Sequence, residues 1–250
     1  MKRSVQVILL IFVILAIDQA VKIWVKTHMC IGGEPIPILG LKWAQLNFVE
    51  NPGMAFGITL GGSYGKLILS LFRLFAIGFL IYYIRNLIKT NAPKGLVLGF
   101  SSILAGAIGN VLDSLFYGLI FSTSDPSVHH WNCIVAKMFP PEGGYGTFLH
   151  GKVVDMFYFP MGHFPNWLPF LGGRMFFEPV FNVADSAITL GVASILMFQR
   201  AYFNDEPKPT EQQIVNNPVI ETSQTIDNQI IEQPSTTILT NNEPTPKVEE

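Results

Sequence analysis

Three aspartates lie where the surrounding residues suit lipid rather than water. Asp18 stands in "VILAIDQAVKIW", Asp113 in "GAIGNVLDSLFYG" and Asp185 in "FNVADSAITLG". An aspartate at the bilayer centre costs about 2.5–3.5 kcal/mol. Three would cost about 8–10 kcal/mol, comparable to the whole stability of an ordinary domain. They are therefore expected off-centre, turned toward protein or water. Spacing assigns faces. Asn110 and Asp113 are three residues apart, as are Asn182 and Asp185, so each pair shares one side of a helix. Asp18 and Lys22 are four apart and can pair within one helix. Asp185 has no basic residue within a turn. A fourth carboxylate, Asp155, sits in the strand-like "GKVVDMFYF" and can dip to the level of the others.

Two close, unpaired carboxylates next to water define a chemistry. They cannot both ionise easily, so they share a proton and titrate together. One takes a proton from water while the other donates to a carbonyl oxygen, the arrangement of aspartic proteases. That reaction requires neither a cofactor nor a covalent nucleophile, and no metal ligand set is expected. No G-x-S-x-G or suitable histidine partner supports a serine triad, and no H-E-x-x-H or Cys/His cluster supports zinc. His129 and His130 are adjacent and lack ligand spacing, which suits a loop. Cys30 and Cys133 make no disulfide framework, and two unpaired thiols are expected over a single bridge.

The elements that must hold these groups are apolar helices. Of the 250 residues, 49% are hydrophobic and 14% charged, and 20 are Phe, a balance ordinary for a polytopic membrane protein. Four stretches reach the roughly 20 apolar residues that a crossing needs: about 4–24, 66–88, 95–121 and 180–198. The first resembles a secretory signal, but it lacks a small-x-small cleavage site and is expected to remain as a span. Lys2 and Arg3, then Arg85, Lys89 and Lys94, then Arg200 and Lys208 flank the spans on one side. The positive-inside rule makes that side cytoplasmic, with both termini there and residues 25–65 and 122–179 outside. Lys26, Lys42, Lys137, Lys152 and Arg174 fall in the outer segments and weaken the bias. Counted from the outer ends at 1.5 Å per residue, Asp18, Asp113 and Asp185 lie about 9, 12 and 8 Å in, which brings three helices' carboxylates to one level. Arg73, inside the second span, is expected to snorkel or pack between helices.

The outer segments carry structure. "LKWAQLNFVENPGMAFGI" alternates like a strand and turns at Asn51-Pro52-Gly53, and "GKVVDMFYF" is a second short strand. Residues 122–150 and 160–179, rich in Gly, Pro and aromatics, suit interfacial or re-entrant segments. The fold class is thus a membrane all-α core of four transmembrane helices with a small extracytoplasmic β-rich cradle. The chain divides into a membrane domain, 1–202, and a polar tail, 203–250. The tail carries nine acidic and two basic residues and has the composition of a disordered segment. A basic body with long apolar runs points to membrane lipids as partners, and no nucleic-acid motif is present.

Five segments together resemble a known family. "DQAVK", "NPGMAFG", "GAIGNVLDSLFYG", "GKVVDMF" and "FNVADSAITLG" are similar, in order, to the motif blocks of lipoprotein signal peptidase, or signal peptidase II. The similarity covers about residues 4–200. It implies a monomeric aspartic endopeptidase of the bacterial inner membrane, with its active site near the periplasmic face. Its substrates would be prolipoproteins, cut just before a diacylglyceryl-modified cysteine. By motif match, Asp155 and Asp185 would be the catalytic pair and Asn182 would orient a carboxylate or the substrate. Asn51 and Gly53 would contact substrate, Asn110 would bind its backbone, and Asp18, Lys22 and Asp113 would support the site. One position departs. The family commonly has Arg after the aspartate of the third block, where this chain has Ser114, so that charge is either missing or supplied from elsewhere, with Lys152 and Arg174 as candidates. The alternatives are a small carboxylate-lined transporter, disfavoured by the lack of a repeat and a site near one face, and a scaffold that recruits partners through its tail.

Overall fold

The computed structural model describes residues 2–52, 62–125, 133–162, 164–169, 172–173 and 179–198, without the side chains of 62–67. Gly53, Arg174, the histidine pair and the tail lie outside the described residues. Among the described residues, three helical stretches are long and apolar enough to cross a membrane: Arg3–His28 (α1), Ile68–Lys89 of helix α2 (Gly62–Lys89), and Lys94–Ile120. The last comprises α3 (Lys94–Leu112), a π-helical turn (Asp113–Tyr117) and α4 (Gly118–Ile120). Their outward faces are apolar: Ile8 and Phe12 on α1 and Phe72, Phe75 and Phe79 on α2 are exposed. Their inward faces close on Val7, Ile84, Leu87, Leu96, Val97 and Leu104. Such inside-and-outside apolarity belongs to a helix whose solvent is lipid.

Helix α5 (Val183–Met197) has 15 residues, fewer than the 180–198 stretch read from hydropathy. Val180–Phe181 form a short strand instead (β4), and Asn182 caps the helix. Hydropathy sees apolar residues but not the hydrogen bond that starts a helix. Helices α3 and α5 pack backbone to backbone. A Cβ on Gly106 would collide with the Ala184 carbonyl, and one on Gly191 would come within 2.7 Å of the Gly99 carbonyl oxygen. Small residues at such crossings replace the hydrophobic effect, which is absent between helices in lipid.

The strands form one antiparallel sheet in the order β1 (Ile36–Ile38), β2 (Leu41–Asn51), β3 (Val153–Tyr158), β4. Strands β2 and β3 are the two expected from alternation. Their register sets Val49 opposite Asp155 and Asn51 opposite Val153. The sheet packs on the end of α1 and the end of the third apolar stretch through Val25, Met29, Phe48, Tyr117, Phe121, Val154 and Met156. The segment after α4 laces back onto that stretch. Phe139, Gly146 and Gly151 donate their N–H groups to the carbonyls of Ile120, Gly118 and Ser114 at 2.7, 2.9 and 2.9 Å. Carbonyls that a helix end leaves unpaired are thereby satisfied.

Two expectations are corrected here. Cys30 and Cys133 are joined in a disulfide, their Cα atoms 5.8 Å apart, well within bridging range. Their separation of 103 residues hid a proximity that the fold creates, because the bridge links the end of α1 to the segment laced on α4. Lys26, read as an outer-loop charge, lies inside α1, which runs four residues past Trp24, and is fully buried.

Candidate active site

The capping box at the start of α5 is the centre of the site. Asp185 N–H donates to Asn182 Oδ1 at 2.9 Å, and Asn182 N–H donates back to Asp185 Oδ2 at 3.3 Å. This reciprocal pairing satisfies two donors that the first turn leaves open. It also fixes the Asp185 carboxylate at a helix N-terminus, where the macrodipole favours negative charge. The remaining amide hydrogens of Asn182 reach out of the box. Its Nδ2 donates to Asp155 Oδ1 at 2.6 Å and to Asn110 Oδ1 at 3.1 Å. Asn110 Nδ2 in turn donates to Asp185 Oδ1 at 2.7 Å. Asn182 thus contacts both Asp155 and Asp185, although they come from different elements, a strand and a helix. Asn51, at the end of β2, adds a side-chain hydrogen bond to Asp155.

Asp185 accepts hydrogen bonds on both oxygens from these donors. Asp155 is different. It is 5% exposed, and burial together with the neighbouring Asp185 charge pushes its carboxyl up to about 7, against the opposing pull of Asn182, Lys22 and Asn51. The surroundings of Asp155 thus favour its protonated form.

Beneath this pair lies a second, fully buried layer. Lys22 Nζ binds Asp18 at 2.9 Å, Asp113 at 2.8 Å and Asn110 Oδ1 at 2.9 Å. One ammonium with three donors thereby joins α1 to α3 and holds the Asn110 oxygen, so that the Asn110 amide faces Asp185. Asp18 Oδ1 accepts from Ala184 N–H at 2.9 Å, capping another open donor of α5. Asp113 accepts from Gln19 Nε2 at 3.0 Å and from Val154 N–H at 3.3 Å, which ties the π-helical turn to β3 one residue before Asp155. The two Asn-x-x-Asp pairs therefore differ: 182/185 is a helix cap, whereas Asn110 and Asp113 share Lys22 and otherwise turn to different partners, Asp185 and Gln19.

Of the residues singled out from sequence, Asp18, Lys22, Asn51, Asn110, Asp113, Asp155, Asn182 and Asp185 converge in this one network, and Gly53 lies outside the described residues. Lys152 is not the replacement for the missing arginine charge, because its Nζ is bound to Glu50 at 2.9 Å. Ser114 donates to the Asn110 carbonyl at 3.1 Å, a local helix bond carrying no charge. Arg73, half-buried on α2, is within electrostatic reach of Asp185, Asp155 and Asp113 rather than turned to the surface. Its signal in the sequence was a lone arginine inside an apolar span. Gln19 was also missed. It bridges Asp18 and Asp113 while its Oε1 accepts from Tyr117 OH at 3.1 Å. Among the described residues, no group of three or more His, Cys, Asp or Glu side chains is arranged to hold a metal ion.

Comparison with known proteins gives the same family as the motif blocks. Residues 10–200 match the family described as signal peptidase (SPase) II. A lipoprotein signal peptidase of Porphyromonas gingivalis is 50% identical over 193 residues, covering 75% of this chain and 80% of the relative. One from Amoebophilus asiaticus is 37% identical over 227 residues, covering 88% and 89%. A solved structure described as a bacterial membrane enzyme superposes with a TM-score of 0.51 at 21% identity, over 82% of this chain and 94% of that one, a likeness of fold.

Proposed function

Since the chain belongs to the signal peptidase II family, a family of proteases, we propose that it releases the signal peptide from prolipoproteins by aspartate-paired hydrolysis. The observation that carries the reading is Asn182, whose side chain is bound at once to Asp155, to Asn110 and, through its cap, to Asp185. An amide so placed keeps two acids in fixed relation without neutralising either. Water held between them gives a proton to Asp185 as its oxygen attacks the scissile carbonyl. Asp155 gives its proton to the carbonyl oxygen, forming a neutral tetrahedral diol. Collapse of the diol returns a proton to Asp155 from one hydroxyl, and Asp185 passes its proton to the leaving amine. The new chain end is the lipidated cysteine's amino group, the other product carries the new carboxyl, and both acids regain their starting state.

Orientation and depth follow from charge and length. By the positive-inside rule, the basic residues at the ends of α2 and α3 support a cytoplasmic connection between them, both termini on that side and the aspartate pair toward the outer face. Helix α5 then serves as a fourth span, with about 22 Å of helix. The catalytic unit is residues 1–202. A lipid-modified precursor reaches such a site laterally from the bilayer, so lipidated and unlipidated forms of one precursor are the test. Purified protein in bilayer mimetic is expected to cut the lipidated form just before the cysteine, with or without chelator. Equal cutting of the unlipidated form, or loss of activity with chelator, contradicts the proposal.

A further inference from the structure

A second group of charges is buried beside the site and takes no part in the steps above. Glu50 lies at the end of β2, and its side chain is almost fully enclosed. Its Oε1 is bound by Lys26 Nζ from α1 and accepts from Ser124 Oγ at 3.1 Å, and its Oε2 accepts from Lys152 Nζ at 2.9 Å. Lys26 is fully buried, and its ammonium lies over the rings of Tyr145, Phe121 and Phe48 at 5.0, 5.5 and 5.9 Å. Lys152 lies over Tyr145 at 5.5 Å, and its backbone N–H donates to Tyr145 OH at 2.7 Å. Although burial opposes it, the two lysines hold the Glu50 carboxyl below its ordinary range. Removing these charges from water is costly, and an apolar cluster of equal volume would usually be as stable. What the charges add is position. Glu50 is joined to Lys152, the residue just before β3, and it immediately precedes Asn51, whose side chain meets Asp155.

We propose that Glu50, gripped by Lys26 and Lys152, is a positioning residue for hydrolysis: it fixes the end of β2 against β3 so that Asn51 meets Asp155. The inference rests on the reading of Asp155 and Asp185 as the reacting pair. Besides Asn51 and Asn182, the charged groups facing Asp155 among the described residues are Asp185 from α5, Lys22 from α1 and Arg73 from α2. Freeing Asn51 leaves these in place and removes one donor from the ionised form of Asp155.

The test compares kcat, KM and pH profile of cleavage for Glu50→Gln, Asn51→Ala and the double variant in the full chain. Glu50→Gln is expected to lower kcat about 10–100-fold, to leave KM within twofold, and to move the alkaline limb to higher pH. Asn51→Ala should move the limb the same way, and adding it to Glu50→Gln should cost less than it does alone, because both break one link. Glu50→Asp, which keeps the charge, should recover part of the loss. An unchanged limb, or costs that multiply independently, overturns the inference. If Glu50→Gln does not fold, Lys152→Met is read the same way, since Lys152 is 37% exposed and tolerates change. Asp155→Asn and Asp185→Asn run in parallel. If either remains active, the reading of the pair fails; if both are inactive while Glu50→Gln behaves as wild type, only the role of Glu50 fails.

Discussion

Asp155 carries the sharpest consequence at the scale of single residues. Its carboxyl sits at about 7 because burial and Asp185 both disfavour its charge. In the proposed hydrolysis Asp155 donates its proton to the carbonyl oxygen, so kcat is expected to fall as the pH rises through about 7, with the steepness of one proton. A profile flat from pH 6 to 9 contradicts this. The same shift affects stability. The folded state binds this proton more tightly than the unfolded chain, so stability is drawn down as pH climbs from the ordinary carboxylate range to about 7. Asp155→Asn is therefore expected to unfold at a higher temperature than wild type at pH 8, with the gap closing below about pH 4. A variant less stable at pH 8 shows that the acid is not strained by its site. The types and spacings of these residues were readable in the sequence, because an aspartate in an apolar run has few uses. What they bind was not. Lys22 and Asp18 pair within four residues, but Lys22 to Asp113 and Asn182 to Asp155 cross 91 and 27 positions, distances that periodicity does not span.

At the scale of elements, α3 and α5 position the site by approaching closely. Gly106 has no room for a methyl against the Ala184 carbonyl, and Ala184 precedes Asp185. Gly106→Ala is expected to cost about 1–3 kcal/mol and to lower activity by moving the capping box; thermal unfolding and cleavage measured together check it. Normal values for both would mean that the crossing yields without consequence. The Cys30–Cys133 bridge acts elsewhere, on the α1 end and the segment laced over α4. Replacing both cysteines with serine should lower stability by about 2–4 kcal/mol but leave cleavage at 25 °C near wild type, since neither sulfur is in the network around Asp155 and Asp185. Loss of activity in folded double-serine protein would tie the bridge to the site. Helices α1 to α3 and strands β2 and β3 were legible from hydropathy and alternation. The exceptions share a cause. The start of α5, the extension of α1 past Trp24 and the disulfide are decided by partners distant in sequence: Asp18 for Ala184, Glu50 for Lys26, Cys133 for Cys30.

For the whole molecule, the proposed division puts chemistry in residues 1–202 and leaves the acidic tail on the cytoplasmic side. Deleting 205–250 is expected to preserve cleavage in cells and after purification, and a loss with normal insertion would assign the tail a part in catalysis. The proposed hydrolysis turns on one water molecule activated between Asp155 and Asp185. It is tested most directly by single-turnover cleavage of a lipidated precursor by the purified full chain and by Asp155→Asn and Asp185→Asn separately. Each substitution is expected to lower the rate by about 10²–10⁴-fold in protein that stays folded. A rate within tenfold of wild type for either variant would contradict it.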